Sequence, residues 1–176
     1  MAFQFWQSRK AAFQYPLREA PRTAVLVPWF AKPQLLFPSK QSVRCFDGWS
    51  DEAARFTPAA IAGTRQQLLA LAENPPQITH ALIVLARPED AQLTAAERDQ
   101  LWLAFRVPAF EQIIGANGER LAAECEAHNG LHVEAPDPNW SAHAIDHGVC
   151  ACGLRTPRIS SPVRGERVRT AAMFAR

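Results

Sequence analysis

Cysteine and histidine residues are concentrated in one stretch near the C-terminal end, and this stretch constrains the fold more than any other feature. Residues 121–158 hold three of the four cysteines and four of the five histidines. Cys125 precedes two histidines, and Cys150 and Cys152 follow later in a Cys-Ala-Cys-Gly knuckle. Two such groups of thiol and imidazole side chains can close on one tetrahedral zinc ion. The sequence therefore predicts that a metal ion ties together two distant pieces of the chain.

An Asn-Gly turn between two predicted strands decides which histidine faces the cysteines. This dipeptide is typical of a type I′ turn and predicts a hairpin formed by residues 119–127 and 131–134. A two-residue loop places Ala127 opposite His132. Because side chains alternate between the two faces of a strand, Cys125 and His132 then lie on the same face.

The expected ligands follow from that register. His128 points to the opposite face, so we expect a structural zinc ion bound by Cys125, His132, Cys150 and Cys152. A longer loop would exchange the two histidines, so His128 remains the substitute for His132. A disulfide bond is the alternative, and it is disfavoured because nothing in the chain indicates export.

Two other groupings in the same stretch have weaker support. Ser141, His143 and Asp146 are the residue types of a hydrolase triad, but they are crowded into one loop without a nucleophile elbow. His143 and His147 have helical spacing and could replace His132 on the metal. We predict no catalytic residue and no bound organic cofactor.

The composition indicates one globular domain. The chain has 176 residues, of which 48 % are hydrophobic and 20 % are charged, enough for one apolar core. No apolar run approaches the length of a membrane span, so no membrane partner is expected. The N-terminus lacks the apolar region of a secretory signal, and we expect a cytoplasmic protein with reduced thiols.

Charge is distributed unevenly along the chain. Residues 1–44 carry seven basic residues and one acidic residue. Residues 45–154 carry six basic residues and fifteen acidic residues, and residues 155–176 carry six arginines and one acidic residue. The basic ends can lie on the acidic middle of the same chain or on an acidic protein partner. Nucleic-acid binding through the arginines has little support because few aromatic residues accompany them.

The predicted class is α/β: a small mixed sheet with flanking helices and an antiparallel, zinc-stapled hairpin subdomain. The apolar run at 80–86 predicts a central parallel strand, and a Thr94–Glu97 capping box opens the helix that follows it. The remaining predicted elements are strands 23–27, 34–37 and 107–114 and a helix at 57–74 that starts with Thr57-Pro58. The predicted organisation is an extended arm (1–22), one domain (23–158) that includes the zinc-binding subdomain (119–158), and a basic tail (159–176).

Residues 81–133 resemble the phenylacetate–CoA ligase family of adenylate-forming enzymes, and the partial match extends over about residues 80–158 when the later cysteines are counted. The order is an apolar strand, a capped helix, a Val-Pro strand and a segment that matches the family's Glu-Cys-x4-Gly-Leu-His motif. The matching residues of that motif are Ala123, Glu124, Cys125, Gly130, Leu131, His132 and Val133. Some members of the family also have a later Cys-x-Cys-Gly sequence and a bound zinc ion, so the resemblance implies the same metal here.

This chain departs from that family where ATP would bind. It has no Ser/Thr/Gly-rich phosphate loop, which supplies the backbone cradle for phosphates. The family's Tyr-Gly-x-Thr-Glu motif falls on residues 110–113, Phe-Glu-Gln-Ile, and no lid domain with a catalytic lysine follows. We therefore expect no ATP binding and a non-catalytic zinc module, a pseudoenzyme within a larger protein assembly. The alternative is an acyl- or CoA-thioester-binding, ligase-like subunit with a pocket near residues 110–112 and Glu124.

Overall fold

The computed structural model describes residues 21–26, 42–135 and 145–159 of the chain. Nine strands form one mixed sheet in these residues, in the order β2-β1-β3-β4-β5-β6-β7-β9-β8. The strands are β1 (Thr23–Val25), β2 (Val43–Cys45), β3 (Ala60–Gly63), β4 (Ala81–Ala86), β5 (Ala109–Ile114), β6 (Arg120–Glu124), β7 (Leu131–Val133), β8 (Ile145–Asp146) and β9 (Arg158–Ile159). The helices are α1 (Asp51–Arg55), α2 (Arg65–Leu71) and α3 (Ala95–Phe105). The mixed α/β class is confirmed, and the sheet is larger than the small one predicted.

The strands β2, β1, β3, β4 and β5 form a parallel half of the sheet. The apolar strand β4 is buried along its whole length between β3 and β5, as the sequence predicted. Helix α3 connects β4 to β5 and begins at Thr94, which forms the predicted capping box with Glu97. Leu101 and Phe105 of α3 are buried in the same apolar core as Leu82 of β4.

The predicted helix at 57–74 is wrong in its first half. Ala60–Gly63 forms strand β3, which is buried between β1 and β4. Helix α2 begins only after this strand, at Thr64, whose side chain forms a capping box with Gln67. Thr57 has a φ of 46°, which is incompatible with an α-helical N-cap. The short apolar run fits a helix or a strand locally, and its pairing with β4 decides between them.

Beyond β5 the neighbouring strands β6, β7, β9 and β8 pair antiparallel. The antiparallel part that the sequence predicted is therefore a continuation of the main sheet. Strands β7, β8 and β9 have only two or three residues each. Their apolar support is a cluster that includes Ile113, Leu121, Leu131 and Ile159.

Some predicted segments lie outside the described residues. These are most of the arm at 1–22, the strand at 34–37 and the tail beyond Ile159. Ile159 itself belongs to β9 and is buried. None of the helices in the described residues is long and apolar enough to cross a membrane.

Candidate metal centre

Four side chains converge at the antiparallel end of the sheet. Cys125, His132, Cys150 and Cys152 each offer one ligand atom, and these atoms all lie within 4.8 Å of one another. The Cys125 and Cys150 sulfurs are 3.7 Å apart, and the Cys152 sulfur is 3.4 Å from Nε2 of His132. Thiolate sulfurs bound to one tetrahedral zinc ion at about 2.3 Å lie about 3.8 Å apart. The cluster therefore has the dimensions to hold a metal ion, and it contains the four residues predicted as ligands.

The hairpin that positions Cys125 and His132 has a different register from the predicted one. His132 pairs with Ala123 instead of Ala127, and a loop of six residues, 125–130, replaces the two-residue turn. The predicted register was therefore wrong by four residues. Because four is an even number, the same side chains face the same side of the sheet, and Cys125 still meets His132.

A tight turn brings Cys150 and Cys152 to the same place. The backbone N–H of Gly153 donates to the carbonyl of Cys150 at 2.9 Å, and the N–H of Cys150 donates to the carbonyl of Leu154 at 3.0 Å. Gly153 has a φ of 87°, a conformation that costs glycine little and other residues more. The Cys-x-Cys-Gly sequence thus encodes the knuckle locally.

A hydroxyl group fixes the orientation of the His132 ring. Nδ1 of His132 lies 2.7 Å from Oγ1 of Thr156. When Nδ1–H donates to this oxygen, Nε2 keeps its lone pair, and Nε2 is the atom that faces Cys152. The sequence analysis missed Thr156, because it lies on a different piece of chain from His132 and no spacing pattern joins them.

The thiols of Cys125 and Cys150 differ in acidity within the cluster. Burial raises the pKa of Cys125 to about 12. Burial also opposes ionisation of Cys150, but the N–H of Cys152 and hydrogen bonds from Cys152, His132 and Cys125 outweigh it and lower the pKa of Cys150 to about 6. Without metal, Cys150 is therefore the first of these two thiols to become a thiolate, the form that binds metals.

His128, the predicted substitute ligand, is not among the four clustered residues. Its backbone has a φ of 48°, and its ring stacks on Phe110 with the ring centres 4.7 Å apart. Its Nδ1 lies 3.0 Å from a carboxylate oxygen of Glu124. His128 thus contacts a second group of buried side chains on the other side of β6.

That second group is an ionic network that the sequence analysis did not predict. The guanidinium of Arg98 donates to Glu111 at 2.9 Å and lies 3.0 Å from Glu124. The other oxygen of Glu111 accepts the N–H of Leu93, and Glu124 also accepts the N–H of Glu111. Burial, the largest influence, raises the pKa of Glu111, although Leu93 and Arg98 oppose this shift. All four carboxylate oxygens have partners, so the acyl pocket proposed near these residues has no unpartnered carboxylate oxygen to offer.

The remaining described histidines and cysteine stand apart from the centre. Cys45 lies in β2, and burial raises the pKa of its thiol to about 11. His80 and His147 are exposed and do not belong to the cluster. Ser141 and His143 lie outside the described residues, so the triad and the alternative ligand pair remain untested.

The molecule is thus a mixed α/β protein with a cluster of three cysteines and one histidine at one end of its sheet. Comparison with known proteins shows structures of similar fold. The fold is similar to that of 2-hydroxyisobutyryl-CoA ligase, whose structure was solved in an open conformation with 2-HIB-AMP and CoA. The two structures align with a TM-score of 0.58 and 15 % sequence identity. The alignment covers 82 % of this chain and 45 % of the ligase chain. A mutant form of coronafacic acid ligase from Pectobacterium brasiliense gives a TM-score of 0.45 and 15 % identity, over 73 % and 28 % of the two chains. No protein-family model and no curated protein matches the sequence.

The chain spans less than half the length of the first of these ligases. At this level of identity the likeness establishes a shared fold with part of a CoA ligase. The more specific resemblance to the phenylacetate–CoA ligase family remains a prediction.

Proposed function

We propose that this chain is a zinc-binding structural and interaction module with a ligase-like fold, which acts without catalysis as part of a larger protein assembly. The observation that carries the proposal is the convergence of four ligand atoms, from Cys125, His132, Cys150 and Cys152, within 4.8 Å of one another.

The chemistry of the ligands supports zinc. Three thiols and one imidazole form a soft donor set that suits zinc and contains no oxygen donor of the kind that calcium and magnesium prefer. A complete set of four protein ligands is typical of structural zinc, whereas catalytic zinc keeps one position for water. The ligands lie on the 125–130 loop, on β7 and on the segment between β8 and β9. A metal ion would therefore join three pieces of chain whose strands are too short to be stable alone.

The zinc centre can be tested with the full chain, purified without chelators. We expect about one zinc ion per chain by elemental analysis. Cys150→Ser should lose the metal and melt at a lower temperature, because metal binding and folding are coupled. Cys45→Ser is the matched control, since Cys45 lies in β2 and outside the cluster, and it should keep the metal. Wild-type protein without stoichiometric metal would refute the proposal.

A second candidate function is binding of an acyl-CoA or an acyl-adenylate. The observation in its favour is the likeness to 2-hydroxyisobutyryl-CoA ligase across 82 % of this chain. The lack of a phosphate loop in the sequence and the complete pairing of Glu111 and Glu124 argue against it. Calorimetry with ATP and with CoA thioesters separates the two functions: no heat of binding is expected, and micromolar affinity for either ligand would favour the second.

The interaction role requires its own test. Pull-down of the full chain from native extract, with and without prior removal of metal, should recover a protein partner only when the centre is loaded. Recovery of nucleic acid, with an affinity that falls steeply with salt, would instead favour binding through the arginine-rich end.

A further inference from the structure

Arg158 is a buried cation beside the four clustered side chains. It lies in β9, directly opposite His132 in the neighbouring strand β7, and only 3 % of its surface is exposed. On its other side it pairs with Asp146 of β8. Its position in the sheet therefore places a guanidinium next to a metal-ligand residue.

The contacts of Arg158 leave part of its donor capacity unused. One terminal nitrogen donates to the carbonyl of Asn129 at 3.3 Å, and the other donates to the carboxylate of Asp146. The third nitrogen of the guanidinium, Nε, is buried and has no hydrogen-bond partner among the described residues.

The charge of the loaded centre explains why a cation would be placed there. Three thiolates and a neutral imidazole around Zn²⁺ carry one net negative charge, and Cys125, His132 and Cys150 are all buried. A buried charge without a counter-charge is costly. A guanidinium next to the cluster would offset part of this charge and strengthen metal binding.

We infer that Arg158 is the charge-balancing residue of the metal centre: its buried guanidinium, in the strand position opposite His132, offsets the net negative charge of the loaded centre. This inference rests on the proposed zinc centre and assigns a function to a residue outside the ligand set. The competing explanation is that Arg158 only ties β8 to β9 through its ion pair with Asp146.

Three variants of the full, zinc-loaded chain distinguish these explanations. Arg158→Gln removes the charge, Arg158→Lys keeps it, and Asp146→Asn breaks the ion pair but leaves Arg158 in place. The zinc dissociation constant is measured by competition with a chromophoric chelator. We expect Arg158→Gln to weaken zinc binding by about 10- to 100-fold. Arg158→Lys should recover most of this loss, and Asp146→Asn should leave the affinity close to that of wild type.

A matched control and a spectroscopic measurement complete the experiment. Arg65→Gln removes an arginine that pairs with Glu97 in the parallel half, and it should not change the zinc affinity. The absorption spectrum of the cobalt-substituted protein reports whether the three thiolates still bind the metal in each variant. If Arg158→Gln does not fold, Asp146→Asn still decides between the two explanations: unchanged zinc affinity supports charge balancing, and a clear loss supports a role through the ion pair alone.

The outcomes separate this inference from the proposed zinc centre. Wild-type protein that binds no zinc would refute the centre itself. Wild-type protein that binds zinc, together with Arg158→Gln that binds it equally well, would refute only the role of Arg158. An equal loss in Asp146→Asn and Arg158→Gln, or an equal loss in Arg158→Lys and Arg158→Gln, would also overturn the charge-balancing role.

Discussion

The two ends of the sheet depend on different interactions. In the parallel half, strands and helices bury one large apolar core that contains Leu82, Leu101 and Phe56. In the antiparallel half the last three strands have two or three residues each, and the Cys/His cluster and the ion pair between Arg158 and Asp146 lie beside them. We expect apolar burial to maintain the first end by itself and the second end to depend also on specific polar interactions.

Removal of the metal should produce the largest effect, and it should be confined to the antiparallel end. After equilibration with a strong chelator, we expect amide protons of residues 125–133 and 145–159 to lose protection against hydrogen exchange, because these segments carry the ligands. Residues 81–86, in β4, should keep their protection. Chelator already saturated with zinc serves as the control. Equal loss of protection at both ends would contradict the proposal that the two ends of the sheet depend on different interactions.

The Arg98 network joins the two halves, so its disruption should affect both. Arg98 of α3 contacts Glu111 of β5 and Glu124 of β6. Arg98→Met leaves two buried carboxylates without their cation and should lower the free energy of unfolding by about 3–5 kcal/mol in urea titrations. This loss of unfolding free energy should become smaller at lower pH. Burial raises the pKa of Glu111, so its carboxyl becomes neutral as the pH falls, and a neutral carboxyl needs no cation. Arg44→Met, which breaks an exposed pair with Glu52, should cost only about 0–1 kcal/mol.

A cavity in the apolar core should weaken the parallel half without affecting the metal. Leu101 is fully buried in α3, and Leu101→Ala should cost about 2–5 kcal/mol of unfolding free energy. Its neighbour Leu103 is 61 % exposed, so Leu103→Ala should change stability by no more than about 0.5 kcal/mol. The zinc content should be unchanged in both variants. Loss of zinc from Leu101→Ala would show that the two ends are not independent.

The smallest effect should come from the outer contact of the centre. Thr156→Val removes the hydroxyl that holds Nδ1 of His132 and should weaken zinc binding by about 10- to 100-fold, with a smaller fall in melting temperature than Cys150→Ser shows. Thr156→Ser should retain wild-type affinity. Thr79 contacts the ring of His80 in the same way but outside the cluster, so Thr79→Val is the matched control. Equal affinities of Thr156→Val and wild type would mean that the hydroxyl does not orient the ring.

The sequence predicts the elements whose determinants are local. The Thr94–Glu97 capping box marks the start of α3, and the apolar run of β4 is long enough to identify a buried strand. At residues 57–74 the local information is ambiguous, because the Thr-Pro dipeptide favours a helix and the chain instead forms β3. That strand exists because it pairs with β1 and β4, and such long-range pairing leaves no trace in a short window of sequence.

The Cys/His cluster can be predicted because its residue types and their spacing are distinctive in the sequence. The residues around the cluster cannot be predicted in this way. Cysteine and histidine types with a Cys-x-Cys-Gly knuckle identify the four residues, and the hairpin error of four residues preserved the face of Cys125 and His132. Thr156, Arg158 and the Arg98 network depend on contacts between separate elements. Their residue types are common on protein surfaces, so only the fold reveals their roles.

The strand order at the antiparallel end also determines the sequence of assembly. Strand β8 precedes β9 in the chain, yet it lies outside β9 at the edge of the sheet. Among the described residues, Ile145–Asp146 pairs with Arg158–Ile159, so this pairing can form during synthesis only after Arg158–Ile159 has emerged. Cys150 and Cys152 lie in the segment between these strands, so pairing of β8 with β9 closes the loop that carries two of the four clustered side chains. The outer edge of the sheet at this end is therefore completed by the last strand of the described residues to be synthesised.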